Sequence, residues 1–284
     1  MFNKSDNKND LLQNISSYLK LKKINNYLEE SRIIITYAGG AESFNTIQFE
    51  KINKNIVEHV VNQRIEGKPL SKIINQKGFW KHVFFTNNDT LDPRADSEII
   101  IENVLRDLKL SSKENLFFID LCCGTGCLGI TILHELQNSY CDFIDISERA
   151  ISVCEENIRR ILVTNRCKTH ISDLFLNYPI ENILKADFLV CNPPYIPTKT
   201  YLKLDKETMH DPRIALDGGE EGTFLYFKII NFLVKIKYQG EIYFEIDPII
   251  IENLEKFLLE KSLKIVYKKN DYLNLDRLIK ITLP

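Results

Sequence analysis

The sequence predicts an α/β protein in which a doubly wound, mostly parallel sheet follows a small N-terminal helical domain. Three observations carry this. From residue 96 onward, strand-length apolar runs alternate with helix-length periodic segments. The strand runs, such as Leu116-Phe117-Phe118-Ile119, are continuously apolar, as strands covered on both faces are. A glycine-rich turn, Asp120 to Gly129, stands where the first of these strands gives way to a helix.

Between 10 and 66 the apolar residues fall at helical spacing: Leu11, Ile15 and Leu19, then Tyr27, Leu28, Ile33 and Ile34, then Phe49, Ile52, Ile56 and Val60. Gly39-Gly40 separates the later helices. Gly67-Lys68-Pro69 closes the last, because the residue before proline is pushed out of the α region. This sets a helical domain over 1–75. Phe79 to Phe85 and Leu91-Asp92-Pro93-Arg94 read as an aromatic hairpin or connector over 76–94, and the α/β domain occupies 95–284. Its predicted elements are a helix at 96–108, strands at 116–121 and 140–145, and helices at 126–137 and 147–161. Strands near 168–172, 186–191 and 240–246 follow, with a helix at 222–236 before the last. Segments 263–268 and 276–281 alternate polar and apolar residues and are expected to pair antiparallel at a sheet edge.

The chain has 284 residues, 44% of them hydrophobic, enough for one large α/β domain with a smaller companion. Lys and Arg number 37 against 39 Asp and Glu, a formal charge of -2, so the chain as a whole lacks the electrostatic footprint of a nucleic-acid binder. The N-terminal stretch Met1 to Asp10 has no apolar leader, and no apolar run approaches the roughly 18 residues of a membrane span. A soluble, cytoplasmic protein without membrane partners is expected. The seven cysteines are odd in number and sit mostly in apolar runs, which reads as reduced thiols. Cys122, Cys123, Cys127 and His134 lack paired Cys-x-x-Cys spacing, so no metal site is expected.

The turn Asp120-Leu121-Cys122-Cys123-Gly124-Thr125-Gly126 lies at the carboxyl end of a strand, where open α/β sheets bind nucleotides. Gly124, Gly126 and Gly129 also satisfy G-x-G-x-x-G, and Asp145 ends the next strand, placed to accept from ribose hydroxyls, so a nicotinamide dinucleotide is a rival ligand. Asp145 has a second reading, as the cap of the helix that follows. The sign of charge favours S-adenosylmethionine: a carboxylate at Asp120 repels a pyrophosphate and attracts an amino group.

Downstream, Phe188-Leu189-Val190-Cys191 is a buried strand stopped by Asn192-Pro193-Pro194-Tyr195. Prolines cannot donate to the ladder, so the Asn192 side chain and Pro193 carbonyl are left at the sheet's carboxyl edge. A planar amide or amino nitrogen is a poor nucleophile because its lone pair is delocalised. Two acceptors, the Asn192 side-chain carbonyl and the Pro193 backbone carbonyl, can take its two N–H groups, orient the lone pair and stabilise the growing positive charge. No general base has to act first, and no histidine lies in the motif. Pro194 and Tyr195 complete the substrate-binding segment, with Tyr195 placed to pack on a planar group. These residues predict a methyltransferase acting on a planar nitrogen.

In order along nearly the whole chain stand Arg64-x-x-Gly67-Lys68-Pro69-Leu70, Phe79-Trp80, Leu91-Asp92-Pro93-Arg94-Ala95-Asp96-Ser97-Glu98 and the glycine turn. Ser172-Asp173-Leu174-Phe175, Asn192 to Ile196, Pro212-x-x-Ala215-Leu216-x-Gly218-Gly219 and Gly222 follow. With this ordered set the chain resembles the PrmC/HemK family of protein-glutamine N5-methyltransferases, which act on peptide chain release factors. The resemblance implies a class I, Rossmann-like methyltransferase fold with a seven-stranded sheet, and an N-terminal helical domain that docks the protein substrate. It assigns cofactor contacts to Cys122, Cys123, Gly124, Thr125 and Gly126, to Asp145, Asp173, Leu174 and Asn192, and the substrate amide to residues 192–195. The implied target is the glutamine of the Gly-Gly-Gln motif in release factors. The alternatives are a glutamine of a ribosomal protein, or N6 of adenine in DNA, whose methyltransferases share Asn-Pro-Pro-Tyr. Residues 1–75 carry 11 Lys and Arg to 8 Asp and Glu, too little bias for a DNA-reading face, and direct nucleic-acid binding is not expected. The chain departs from the family pattern at Cys122, where the family has glycine, at Asp92 and Ala95, and at Asp211, where it has glutamate.

Overall fold

A computed structural model describes residues 5, 7–109, 115–271 and 273–284 of the chain; the first residues of the stretch read for a leader lie outside the described residues. Two compact units emerge, one running up to Asn75 and including Asp205–His210, the other formed by Gln76–Leu204 and Asp211–Pro284.

The first unit contains helices α1 (Lys8–Leu21), α2 (Tyr27–Ala38), α3 (Lys54–Ile65) and α4 (Leu70–Ile74). Asparagines start two of them: Asn7 accepts from the Asp10 N–H at 2.9 Å, and Asn53 from those of Asn55 and Ile56 at 3.1 and 3.3 Å. The helical stripes converge on a core of Leu11, Ile15, Leu19, Ile34, Val57 and Val61. Pro69 does more than close α3, because its fixed φ also suits the residue ahead of a new helix, and the short α4 occupies the expected boundary. Arg64 is buried and bridges Glu30 at 2.7 Å and Glu207 at 3.0 Å, which ties the 205–210 segment to this unit. Nothing in the local pattern of 205–210 announces that pairing.

The second unit opens with the hairpin of β1 (Gln76–Phe79) and β2 (His82–Phe85), turned at Trp80 in the left-handed region, φ 55°. The remaining elements are α5 (Glu98–Lys109), β3 (Phe117–Leu121), α6 (Cys127–Glu135), β4 (Tyr140–Asp145), α7 (Glu148–Ile161), β5 (Cys167–Ile171), α8 (Ile180–Lys185), β6 (Phe188–Cys191), α9 (Thr198–Tyr201), α10 (Phe224–Lys235), β7 (Glu241–Glu245), α11 (Pro248–Glu260), β8 (Lys264–Asn270) and β9 (Asp276–Thr282). The sheet has seven strands in the order β5-β4-β3-β6-β7-β9-β8, with β9 antiparallel to both its neighbours and the rest parallel. The expected antiparallel pair is therefore present, with β9 inserted between β7 and the edge strand β8.

Each sheet face is covered by its own apolar layer, one around Leu189, Tyr226, Phe244 and Leu254, the other around Phe118, Phe143, Ile151 and Tyr243. Helix α11 was absent from the sequence-based prediction because Ile249-Ile250-Ile251 mimics a strand. Its start is nonetheless encoded, since Asp247 accepts from the Ile249 N–H at 3.0 Å and Pro248 fills the first helical position. The predicted helix over 96–108 divides into a tight turn at Ala95–Ser97 and α5, and that division sets Ser97 at the sheet's carboxyl edge.

Candidate active site

Strands β3, β4 and β6 run parallel and end together, so the loops that leave them meet above one edge. Their residues line a single cleft, to which Asp120, Cys122, Cys123, Gly124, Thr125, Asp145, Asp173, Leu174, Asn192 and Pro194 all contribute. Gly126, Pro193 and Tyr195 stand back from its lining.

The turn after β3 uses the left-handed region three times, at Cys122 (φ 58°), Gly124 (φ 53°) and Gly126 (φ 75°). That explains why glycine is the family residue at 122: the backbone there needs a conformation that costs an L side chain roughly 1–2 kcal/mol. Gly126 has a packing reason as well, because a Cβ would lie 2.6 Å from Cys154 Sγ. The turn is held from behind by Asn157, fully buried on α7. Its Nδ2 donates to the carbonyls of Thr125 and Phe85, both at 2.9 Å, and its Oδ1 accepts from the Phe85 N–H at 2.6 Å. The sequence signal for Asn157 was a single amide on the apolar stripe Ile151-Cys154-Ile158.

Asp120 is 1% exposed, and its Oδ2 accepts from the Gly129 N–H at 2.8 Å. Burial pushes its carboxyl well above the ordinary carboxylate range, against the pull of that N–H. A cationic group arriving in the cleft would reverse this. Asp145 accepts from the Gly124 N–H at 3.0 Å and the Ser147 N–H at 2.9 Å. Burial raises it too, with the backbone donors opposing. The helix cap of α7 is Ser147 itself, whose hydroxyl accepts from the Ala150 N–H at 3.2 Å, so Asp145 instead locks the turn after β3 to the end of β4. Asp173 leans out to Lys228 at 3.1 Å, and Leu174 sits at φ 51° with its side chain in the core.

At the end of β6, Asn192 donates through Nδ2 to Ser97 Oγ at 3.3 Å. Pro193 and Pro194 are buried. Tyr195 packs on the core layer, its hydroxyl 3.4 Å from Glu245 Oε1. The returning loop is fastened to this segment by a pair of backbone bonds, Ile196 N–H to the Leu216 carbonyl at 3.0 Å and Gly218 N–H to the Ile196 carbonyl at 2.8 Å. The approach is so close that a Cβ at Gly222 (φ 74°) would stand 2.2 Å from the Tyr195 carbonyl, and one at Gly218 2.6 Å from that of Pro194. These downstream glycines are thus part of the tetrapeptide's support. Two departures from the family pattern also meet here: the Asp92 N–H donates to Asp211 Oδ1 at 3.3 Å, and Arg94 binds Asp211 Oδ2 at 2.5 Å.

Glu245, at the end of β7, escaped the sequence reading. Its signal was a lone acid in the apolar run Ile242-Tyr243-Phe244-Glu245-Ile246. It is 1% exposed, its Oε2 has no hydrogen-bond partner among the described residues, and burial raises it to about 7.

The cleft offers carboxylates at the ends of β3 and β4, open backbone at Gly124 where a Cβ would meet nothing within 4 Å, and no histidine in its lining. This donor set fits a ligand with an amino group and ribose hydroxyls. A family profile described as Methyltransferase small domain matches residues 88–220. The solved hMettl16 catalytic domain in complex with MAT2A 3'UTR hairpin 6 shares the fold, with a TM-score of 0.54 at 15% identity over 71% of this chain and 77% of that one. Fold and site together define an S-adenosylmethionine-dependent methyltransferase. The chain is 31% identical over 222 residues to the release factor glutamine methyltransferase of Mycoplasma mycoides, covering 76% of this chain and 77% of the relative. It is 30% identical over 254 residues to that of Leptospira interrogans, covering 86% and 87%. It belongs to the release factor glutamine methyltransferase family. Among the described residues, no helix is long and apolar enough to cross a membrane.

Proposed function

We propose that this enzyme methylates the side-chain amide nitrogen, N5, of the glutamine in the Gly-Gly-Gln motif of peptide chain release factors, acting in the cytoplasm without a membrane or nucleic-acid partner. One observation carries the reading: Asn192 and the turn after β3 line the same cleft. S-adenosylmethionine supplies, when bound, an electrophilic methyl carbon on a sulfonium. Asp145 is placed to accept from ribose hydroxyls, and Asp120 to face the amino group, with Cys122 to Gly126, Asp173 and Leu174 shaping the rest of that pocket. Asn192 gives its Nδ2 to Ser97, which turns Oδ1 toward an incoming amide. Oδ1 and the Pro193 carbonyl each accept one N–H of the glutamine, which aims the nitrogen lone pair and stabilises positive charge as it grows. The methylated nitrogen is acidic enough to lose its proton late, so no side chain has to act as base. Pro194 lines the wall on which the planar group rests, and Tyr195 behind it anchors that segment to the core.

Incubation of the protein and a purified release factor with methyl-labelled S-adenosylmethionine is expected to label one glutamine, located by peptide mass analysis. Absence of label with folded enzyme would sink the reading, and label on a ribosomal protein instead would move the target.

A further inference from the structure

Glu245 does nothing in the scheme above, yet it is as deeply buried as Asp120 and reaches the segment that carries Asn192. Five elements meet around it. From the loop after β6, Tyr195 Oη lies 3.4 Å away. From the turn before α5, the Ser97 hydroxyl faces its carboxyl, with Asp96 beyond. From β9 comes Arg277, already engaged by Asp247 at 2.7 Å, Asp271 at 3.0 Å and Asp96 at 3.5 Å. From α10, Tyr226 Oη donates at 2.6 Å to the Glu245 backbone carbonyl and leaves the carboxyl alone. Cys127 of α6 completes the titratable neighbours. The guanidinium is thus spent on other acids, and Glu245 Oε2 has no hydrogen-bond partner among the described residues.

A serine hydroxyl has one proton to give and can accept two. Ser97 Oγ accepts from Asn192 Nδ2 at 3.3 Å, so its own proton must go to another acceptor, and the Glu245 carboxylate, which can only accept, is at hand. We propose that Glu245 is a positioning residue: its carboxylate accepts a hydrogen bond from the Ser97 hydroxyl, and Ser97 in turn holds the Asn192 amide with NH2 inward and the carbonyl oxygen toward the substrate. The relay has a polarity set at one end. A protonated Glu245 can itself donate to Ser97, and the amide of Asn192 is then free to turn over, presenting a donor where the glutamine NH2 needs an acceptor.

The inference rests on the role proposed for Asn192, and its test separates the two. Turnover on a release factor is measured from pH 5.5 to 8.5 for wild type, Glu245→Gln, Ser97→Ala and Asn192→Ala, with calorimetric binding of S-adenosylhomocysteine alongside. Wild-type kcat is expected to rise through a limb near 7, the position of the Glu245 carboxyl. Glu245→Gln, whose amide mixes donor and acceptor, is expected to lose the limb and to stay about 10- to 100-fold low at pH 8 with cofactor binding unchanged. Ser97→Ala is expected to behave likewise. A limb that persists in Glu245→Gln, or wild-type kcat in Ser97→Ala, overturns the proposal, whereas full turnover by Asn192→Ala overturns the role of Asn192 instead. A second readout needs no substrate and no folded Gln variant: the Asn192 side-chain NH2 signals in 15N spectra, identified by their loss in Asn192→Ala, are expected to shift between pH 6 and 8 in wild type and to stay fixed in Ser97→Ala. Signals that do not move in wild type also overturn it.

Discussion

Strand β7 carries an acid at each end, and the two ends are built to opposite rules. At the amino end, Glu241 and the nearby Asp107 share a buried lysine, with Lys280 Nζ 2.6 Å from the one and 2.7 Å from the other. Tyr243 and Tyr267 donate to Asp107 at 3.0 and 2.6 Å. Burial pushes Asp107 up, but hydrogen bonds from Lys280, Tyr267 and Arg106 outweigh it and bring the carboxyl down to about 2. That end contributes stability above the ordinary aspartate value and loses it as pH falls through about 2. At the carboxyl end, Glu245 has no cation of its own and is raised to about 7, so ionising it opposes folding, and stability declines as pH rises from the ordinary glutamate value through about 7. The difference teaches where the fold is finished and where it is held ready. Charge is satisfied at the amino end and left unsatisfied at the end beside Asn192 and Tyr195.

The largest expected effect at the carboxyl end is that of Asn192→Ala, a loss of about 100- to 1000-fold in kcat with S-adenosylhomocysteine affinity kept, on the scale of one oriented contact to a developing charge. Steady-state kinetics with calorimetry decide it, and retained turnover would erase the distinction between the two ends. At the amino end, Lys280→Met removes the cation that Asp107 and Glu241 share, leaving Asp107 only Arg106, and is expected to destabilise the fold by about 3 kcal/mol, read as a lower urea midpoint, with kcat of the folded enzyme unchanged. A fall in kcat without a fall in stability would mean that this end is not merely structural. Asp145→Ala is expected to weaken S-adenosylhomocysteine binding by about 10- to 100-fold, the range of a hydrogen bond to a charged group. If affinity holds, Asp145 serves only the turn after β3.

Much of the sheet was legible, because buried parallel strands are written as unbroken apolar runs and their ends as Asp145, Cys122-to-Gly126 or Asn192-Pro193. Asn157 and Glu245 were harder to read. A polar residue on an apolar stripe signals that something is bonded inside, but the partner lies across space, at Phe85 for one and at Tyr195 and Ser97 for the other. Helix α11 was missed for a different reason, since three consecutive isoleucines satisfy both periodicities and only the Asp247-Pro248 start separates them. The place of residues 205–210 beside Arg64 rests on a contact between positions 143 residues apart, which no local pattern records.

By lying between β7 and β8, β9 closes the margin of β7. Leu278 of β9 is in register with Glu245, and Arg277 of β9 gathers Asp96, Asp247 and Asp271. Without residues 276–282 paired to it, β7 would end as an open margin and Glu245 would lack its neighbour Leu278. The dry acid thus depends on β9 being in place, and a change in its titration would report the loss of that strand.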